Sequence, residues 1–430
     1  MCNLADFDEY LNHLCGVLHR AERSTGLKDY CRGLMLPLAR KSIEPLAAHL
    51  DPLHVVSKHQ SLHHFVAQSS WSDGAVMGYV RDWVIPTLGL DNGCYWIIDD
   101  TGFPKKGKHS VGVARQYCGQ LGKQDNCQVA VSLSLASTHG SIPIAYQLYL
   151  PKDWAADPLR RQTAGVPEDI SFATKPEIAL AQMRQALNSG VQPGVVLADA
   201  GYGDDTAFRD GITQLGMPYA VGIRPAATVW APGTAPLPPK AWRGCGIRPT
   251  RLRRTPNHQP LSVKALAMAL PPEAFDTVTW REGSNAPLSS CFAAVRVRPA
   301  HRDYLSTELR AEEWLLIEWP DGAVEPSKYF LSTAPADASI EQLVFVTKMR
   351  WRIERDYQEL KQEFGLAHYE GRGWRGFHHH ATLCIAAYAY LVAARCKQRG
   401  AKKNFARPEA PALPDDYCPR GRRTSAATCA

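Results

Sequence analysis

Paired cysteines are missing from this 430-residue sequence. It contains 12 cysteines, and none of them stands in a C-x-x-C pair. Zinc ribbons and thioredoxin-like redox motifs depend on such pairs, so the sequence supports neither class. A chain of this size in a reducing compartment keeps its cysteines as thiols, and we expect most of them to be small core residues.

Long hydrophobic runs are also missing. The longest, Ala381 to Ala394, is shorter than the roughly 20 residues that span a bilayer, and it predicts a buried helix instead. The first residues, Met1 to Glu9, lack the basic start and the apolar core of a signal peptide. These absences favour a cytoplasmic protein that has no membrane partner.

Neither sign of charge dominates the sequence. The formal net charge is +7, from 49 Lys and Arg against 42 Asp and Glu, which favours a polyanionic partner only slightly. The hydrophobic content of 45% is ordinary for a globular protein and argues against wholesale disorder. The length suffices for two or three domains with a sizeable core.

Composition and periodicity divide the chain into five segments. Residues 1–93 predict helices with basic and aromatic side chains, and this pattern fits both an accessory domain and a DNA-binding domain. Residues 94–224 predict alternating strands and helices, and residues 225–338, with clustered prolines and arginines, predict a β-rich insertion. Residues 339–395 begin with the strongest helical pattern of the chain. Residues 396–430 are basic and contain several prolines, which predicts a disordered tail.

Two apolar runs of the chain end in carboxylates. Cys94–Asp100 reads CYWIIDD and Val195–Asp199 reads VVLAD, and both patterns predict buried strands with acids at their carboxyl ends. On neighbouring strands of one sheet, these acids would face the same crevice. Between them, Val129–Leu135 and Ile142–Leu150 predict a β-hairpin.

A third carboxylate lies in a predicted helix from about residue 340 to 364. At about 100° per residue, Arg350, Glu354 and Lys361 fall on one face of this helix, and Glu359 lies well off that face. An acid between two cations suits a phosphate-binding surface, because a guanidinium group binds two phosphate oxygens at once. The alternative is an ordinary amphipathic helix in which residues at i and i+4 form a charge pair.

Together, Asp100, Asp199 and Glu354 suit metal-dependent cleavage of phosphodiesters. In such sites two ions about 3.5–4 Å apart activate the attacking oxygen and stabilise the leaving one. Mg²⁺ prefers oxygen ligands, and three carboxylates from distant parts of the chain leave positions open for phosphate and water. The two strand-end acids, which precede the helix in this order, favour the catalytic interpretation of the helix.

Four short blocks carry a resemblance to a known family. They are DDTGFPKKGK at residues 99–108, QYCG at 116–119, GK at 122–123 and ADAGYG at 198–203. Together they resemble DDE transposases of bacterial insertion sequences. The helix is similar to the signature Y-x2-R-x3-E-x6-K of one large branch of these transposases, and the likeness covers about residues 95–395.

The resemblance assigns the three metal-binding acids to Asp100, Asp199 and Glu354. Asp99 competes with Asp100 for the first position. The family pattern of an acid followed by Thr or Ser favours Asp100, and a strand points the two side chains to opposite faces.

The same resemblance assigns phosphate contacts along the helix. Arg350 and Lys361 match the basic positions of the signature. Thr347 stands where the signature has tyrosine, and its hydroxyl would donate a similar hydrogen bond.

For the whole chain, the resemblance implies an RNase H-like α/β fold. A mixed sheet is flanked by helices, and a β-rich insertion precedes the catalytic helix. Two Mg²⁺ ions, replaceable by Mn²⁺, serve cut-and-paste transposition by strand cleavage and 3′-hydroxyl attack. The implied partners are double-stranded DNA, as terminal inverted repeats and target, and a second copy of the chain in a homodimeric synaptic complex. A catalytically inactive, transposase-derived DNA-binding protein is one alternative.

A near match to a P-loop supports another alternative, a nucleotide-binding ATPase. Residues 102–109 follow a predicted strand, but a histidine replaces the Ser or Thr that would hold Mg²⁺, and residues 110–117 do not predict the required helix. We therefore expect Lys105, Lys106 and Lys108 to contact phosphate beside the active site.

Two clusters near residue 375 complete the set of candidates. Trp374 beside Arg372 predicts a DNA contact through stacking and charge. Adjacent histidines on a helix point in different directions and cannot all bind one ion. His378, His379 and His380 are therefore expected to be solvated or to face DNA.

Overall fold

The computed structural model describes residues 4–283 and 286–401. Within them the chain forms two compact units. The first unit comprises residues up to 191 together with those from 351 onward, and the second comprises residues 192–350. The basic tail predicted over residues 396–430 lies largely outside the described residues, which end at Ala401.

The chain begins with a block of helices and continues with groups of strands and helices. The helices are Leu4–Val17 (α1), Glu22–Met35 (α2), Ile43–Leu50 (α3), Val55–His63 (α4), Asp73–Val84 (α5), Lys152–Ala155 (α6), Pro158–Ala164 (α7), Lys175–Asn188 (α8), Ala200–Gly203 (α9), Thr206–Gln214 (α10), Val263–Ala269 (α11), Ile340–Lys348 (α12), Trp351–Gln362 (α13) and Trp374–Ala401 (α14). The strands are Tyr95–Pro104 (β1), Ala114–Cys118 (β2), Lys123–Ala136 (β3), Ser141–Leu148 (β4), Val195–Ala198 (β5), Tyr219–Ile223 (β6), Thr228–Trp230 (β7), Leu261–Ser262 (β8), Asp276–Glu282 (β9), Pro287–Pro299 (β10), Glu313–Trp319 (β11) and Lys328–Ser332 (β12).

In the first unit, the long strand β3 organises the sheet. It pairs antiparallel with β1, β2 and β4. The β3–β4 pair is the predicted hairpin, and its register runs from Ala136↔Ser141 to Ala130↔Leu148. The predicted hairpin is thereby confirmed.

Helix α14 forms the apolar centre of the first unit. Its 28 residues include the hydrophobic run from Ala381 to Ala394, most of which is buried. The predicted buried helix is therefore confirmed. No helix in the described part of the chain is long and apolar enough to cross a membrane.

In the second unit, β5 pairs parallel with β6, and β6 pairs antiparallel with β12. Strand β11 joins β12 to β10, which also pairs with β9 and β7. The strands β7 to β12 all lie within residues 225–338, the region predicted to be β-rich. Each unit combines a sheet with helices, so the predicted α/β class is confirmed.

The helix predicted over residues 340–364 is wrong in one respect, because two helices replace it. Helix α12 ends at Lys348, and α13 begins at Trp351. The Met349 N–H bonds to the carbonyl oxygens of both Phe345 and Val346, which tightens the last turn of α12. No glycine or proline marks this break, so periodicity alone predicts one continuous helix.

Candidate active site

Strand β1 carries two adjacent acids, and its register with β3 separates them. Asp99 lies opposite Ser132, and Asp100 lies opposite Val131. Side chains directly opposite each other in an antiparallel pair point to the same face of the sheet, and neighbours along a strand point to opposite faces. Asp99 therefore shares a face with Ser132, and Asp100 points away from it.

Helix α13 covers the face that carries Asp99. The Tyr357 hydroxyl lies 2.6 Å from Ser132 Oγ and also donates to the Asp99 carbonyl oxygen at 3.4 Å. Further along β1, Phe103 has the same parity as Asp99, and Lys361 Nζ lies 5.0 Å from the centre of its ring. Contacts at two points along the helix thus place α13 over this face.

The carboxylate of Asp100 is held on the other face. Lys175 Nζ, at the start of α8, donates to Asp100 Oδ2 at 2.8 Å. Both side chains are about three-quarters buried, with exposed fractions of 29% for Lys175 and 26% for Asp100. Asp99 therefore faces the helix that carries Glu354, whereas Asp100, the acid preferred from the sequence, lies on the opposite face.

Glu354 lies in the first turn of α13 and is exposed. It precedes Tyr357 by three residues, so it stands on an adjacent part of the surface one turn nearer the helix start. At about 100° per residue, Glu354 and Lys361 lie about 20° apart around the axis. Lys361 Nζ donates to the Gly102 carbonyl oxygen of β1 at 2.9 Å, so this side of α13 faces β1.

Burial changes the acid–base properties of Lys361. Desolvation lowers the pKa of its ammonium group to about 8, because the apolar surroundings disfavour the charged form. Gln120 Oε1 lies 3.3 Å from the same nitrogen. The cation predicted to bind phosphate therefore also links α13 to the end of β1.

Two buried acids of α13 form polar contacts with β4 and α14. Asp356 accepts hydrogen bonds from the Ser141 hydroxyl at 2.7 Å and the Tyr388 hydroxyl at 2.9 Å. Desolvation raises its pKa to about 7, although both hydrogen bonds act in the opposite direction. Glu359 pairs with Arg355 and with Arg395 of α14, which agrees with its exclusion as a metal ligand.

Asp199 belongs to the second unit and directly follows β5. It is the N-cap of α9, and its Oδ1 accepts a hydrogen bond from the Gly201 N–H at 2.9 Å. A Cβ on Gly203 would collide with the carbonyl oxygen of Gly222 in β6. The ADAGYG block is therefore a strand-to-helix turn packed so closely on β6 that only glycine fits at position 203.

The structure thus brings Asp99 and Glu354 to one side of the first unit and holds Asp199 in the second unit. Among the described residues, no group of three or more His, Cys, Asp or Glu side chains is arranged to hold a metal ion. Arg350 precedes the first residue of α13 and is part of the second unit. Its predicted place on one helical face with Glu354 assumed one continuous helix, and that placement stays a prediction.

Two predicted DNA contacts are buried instead. The Thr347 hydroxyl donates to carbonyl oxygens of its own helix, from Leu343 at 3.0 Å and Val344 at 2.9 Å. Trp374 is 7% exposed and packs on His378 at a ring-centre distance of 4.4 Å. Both side chains are packed in the interior, so neither faces the solvent from which DNA would approach.

The lysines of the basic loop after β1 differ in exposure, and their phosphate contacts stay a prediction. Lys106, Lys108 and Arg372 are exposed. Lys105 is half-buried, its Nζ donates to the Tyr369 carbonyl oxygen at 2.8 Å, and desolvation lowers its pKa.

The nucleotide-binding alternative is contradicted by the element that follows this loop. A P-loop requires a helix at this position, and the structure has the strand β2 there.

The histidine cluster of α14 is buried, so its predicted exposure is wrong. His378, His379 and His380 are 7%, 2% and 1% exposed. His380 Nδ1 lies 2.8 Å from the Tyr30 hydroxyl, and its Nε2 lies 3.0 Å from the Gly365 carbonyl oxygen. The ring nitrogens of these histidines form polar contacts between α14 and the segments packed around it.

Sequence reasoning missed Lys175, Ser132 and Tyr357. Lys175 follows Thr174, whose side chain caps α8, and this local pattern gives no sign of a partner 75 residues away. Ser132 and Tyr357 are 225 residues apart. Only the pairing of β1 with β3 and the docking of α13 make these residues neighbours of the acids.

A family model for DDE superfamily endonucleases matches residues 13–287, more than half of the chain. The chain therefore belongs to the DDE superfamily of endonucleases, which are enzymes that act on DNA. Over 218 residues it is 31% identical to a probable transposase for insertion sequence element IS701 from Microchaete diplosiphon. That alignment covers 50% of this chain and 53% of the relative, so the chain spans about half the length of the curated relative it matches. The predicted family is confirmed, and Asp99, Asp100 and Asp199 lie within the matched residues, whereas Glu354 lies beyond them.

Proposed function

We propose that this chain is an active transposase that cuts DNA at the ends of an insertion sequence and joins them to target DNA. Its catalytic acids are Asp99, Asp199 and Glu354, with Asp99 in the position that sequence reasoning assigned to Asp100. The observation that carries this proposal is the docking of α13 on β1, which presents Glu354 and Asp99 on the same side of the first unit. Membership of the DDE superfamily endonucleases supports the class of reaction.

Three carboxylates would hold divalent metal ions in this proposal. Aspartate and glutamate oxygens are the donors that Mg²⁺ prefers, and Mn²⁺ accepts the same set. When bound, a pair of such ions activates the attacking oxygen and stabilises the leaving oxygen of the phosphodiester. The exposed position of Glu354 and the partial exposure of Asp99 and Asp199 leave their carboxylates accessible.

The chain's own cations would orient the DNA. Lys106 and Lys108, exposed in the loop after β1, suit contacts with backbone phosphates. Arg350 and Lys361 follow the spacing of the transposase signature, and Lys361 lies beside β1. The implied partners are double-stranded DNA, as terminal inverted repeats and target, and a second copy of the chain, and the implied location is the cytoplasm.

Metal-dependent nicking of a supercoiled plasmid that carries the insertion-sequence ends tests the proposal. We expect the wild type to nick with Mg²⁺ or Mn²⁺ and to be inactive in EDTA. Asp99→Asn, Asp199→Asn and Glu354→Gln should each reduce nicking to background, because each removes a carboxylate ligand. Glu341→Gln, at an exposed acid of α12, is the matched control and should nick at the wild-type rate.

Asp100→Asn separates the two neighbouring acids. If Asp99 is the ligand, Asp100→Asn retains most of the activity and Asp99→Asn retains none. The opposite result would assign the site to Asp100 and overturn the choice based on strand register. Full activity of Glu354→Gln would overturn the site as a whole, and absence of nicking by the wild type would favour an inactive DNA-binding derivative.

A further inference from the structure

The second unit contains a long stretch of sequence with no acidic residue. Between Asp210 and Glu273 there is no Asp or Glu. The same stretch contains eight Lys or Arg residues: Arg224, Lys240, Arg243, Arg248, Arg251, Arg253, Arg254 and Lys264. A balanced surface would alternate the two signs of charge, so this stretch concentrates positive charge at one part of the β-rich insertion.

Part of this stretch forms a loop with a fixed base, which we call the basic arm (residues 238–252). Leu237 and Arg253 close it with two backbone hydrogen bonds, of 2.9 and 2.8 Å. Behind this closure, Arg254 Nε donates to Asp303 Oδ1 at 2.9 Å, and the Asp303 side chain is almost fully buried. The ends of the basic arm are therefore held on the folded unit, while residues 241–250 are all exposed.

Four cations of the basic arm point into solvent. Lys240, Arg243, Arg248 and Arg251 are exposed. Other cations of this unit have acidic partners, such as Lys264 with Glu325. Among the residues that the structure describes, these four have no ion-pair partner, so their charge is available to an anionic ligand.

An aromatic side chain lies among these cations. Trp242 is 52% exposed, and its indole N–H donates to the Gly246 carbonyl oxygen at 3.3 Å. Gly244 and Gly246 have φ of 88° and 73°, which turns the chain tightly at the tip of the arm. The hydrogen bond limits the indole to few orientations while its face remains open.

We propose that the basic arm is a DNA-binding surface of this enzyme, in which the four cations contact backbone phosphates and Trp242 stacks on a base. The inference deepens the proposed function and rests on it. Exposed cations around an exposed aromatic ring suit nucleic acid, because phosphates follow one another along the strand and an unpaired base, as at a cleaved end, offers a ring face for stacking. An acidic protein would satisfy the cations, but it would leave the indole face without a matching group.

Salt dependence of DNA binding tests the cations. The full chain is titrated with a labelled duplex that carries a single-stranded overhang, in EDTA so that binding is measured without cleavage, between about 50 and 200 mM salt. The triple variant Arg243→Gln, Arg248→Gln and Arg251→Gln should bind more weakly. Its slope of log affinity against log salt should be shallower by about 2 to 3, because each lost phosphate contact removes about 0.9.

A matched control removes the same charge elsewhere. The triple variant Lys152→Gln, Arg184→Gln and Lys328→Gln changes three exposed cations outside the arm. It should keep a slope within about 1 of the wild type. Equal slopes for the two triple variants would overturn the assignment to the arm.

Trp242→Ala tests the stacking contact. It should weaken binding by roughly 5- to 150-fold without changing the salt slope, because it removes a base contact and no charge. Unchanged affinity would overturn the stacking part of the proposal. A circular-dichroism melting curve like that of the wild type confirms that the exposed substitution leaves the fold intact.

Cys245, at the exposed tip, provides a readout that needs no substitution. Bound DNA should slow its alkylation, measured by mass spectrometry of the peptide that contains it, whereas a rate unaffected by saturating DNA would contradict the proposal.

If the wild type binds no DNA at all, the proposed function fails. If it binds DNA and the arm variants match the wild type, the inference about the arm alone fails.

Discussion

At the scale of single residues, strand register puts two neighbouring acids on opposite faces of the sheet, and the proposed site uses Asp99. Asp99 and Asp100 are chemically identical and adjacent, yet the first lies under α13 and the second pairs with Lys175 on the other face. The Asp99 Oδ1 also accepts the N–H of Asp100 at 2.8 Å, which orients the carboxylate. A change of one residue in the register of β1 with β3 would exchange the two roles.

Gly203 provides a prediction at this scale. Gly203→Ala should lower the free energy of unfolding by about 1–3 kcal/mol, because its Cβ would collide with the Gly222 carbonyl oxygen and press on Val221. Chemical denaturation measures this change. Gly78→Ala is the matched control, since it lies inside α5 with nothing within 4 Å of the added Cβ, and it should be neutral or stabilise by up to about 1 kcal/mol. Equal effects of the two substitutions would contradict the close packing at position 203.

At the scale of secondary structure, α13 is held in place by polar contacts as well as apolar ones. Ile353 and Leu360 are fully buried, and Tyr357, on the same side, reaches Ser132. Asp356 adds its contacts to β4 and α14. The amphipathic pattern of the helix therefore positions Glu354, although Glu354 itself is exposed.

The Tyr357–Ser132 hydrogen bond provides a prediction for this element. Tyr357→Phe and Ser132→Ala should each lower the free energy of unfolding by about 1–3 kcal/mol, because each leaves a buried hydroxyl without its partner. The double variant removes both hydroxyls together, so its loss should be smaller than the sum of the single losses. Denaturant titrations of the four proteins complete the cycle. Strict additivity would show that this hydrogen bond does not couple α13 to the sheet.

At the scale of the whole molecule, contacts between distant parts of the sequence hold the first unit together. The Tyr10 hydroxyl of α1 donates to the Ala386 carbonyl oxygen of α14 at 3.0 Å. His379 ring nitrogens lie 2.9 and 3.0 Å from the carbonyl oxygens of Val66 and Trp71. The N-terminal helical segment thus packs against α14, the helix that follows α13.

Burial of His380 makes the stability of this unit depend on pH. Desolvation lowers the pKa of His380 from 6.5 to about 4. The unfolded chain therefore takes up a proton at a higher pH than the folded chain does. The free energy of unfolding should fall as pH drops from about 6.5 towards 4, while above about 7 this group adds no pH dependence.

Urea denaturation at several pH values measures this effect. His380→Gln should be less stable at neutral pH, because it disturbs the contacts with Tyr30 and Gly365, but its stability should vary less between pH 6.5 and 4. Identical pH profiles for wild type and variant would assign the acid sensitivity to other groups.

Much of the local structure follows from short-range patterns in the sequence. Alternating or continuous apolar residues predicted β1, the β3–β4 hairpin, β5 and the buried part of α14, because each element must present a hydrophobic face or run to a core. The motifs around Asp99 and Asp199 indicated the family. The break between α12 and α13 could not be predicted in the same way, since its residues are compatible with a continuous helix.

By itself, the sequence determined the strands around Asp99 and before Asp199, the β3–β4 hairpin and the buried part of α14. Only the tertiary structure decided that Asp99 faces α13, that Lys175 holds Asp100 and that Trp374 is buried. The physical reason is that periodicity tells which residues share a face, whereas strand pairing and helix docking determine what covers that face.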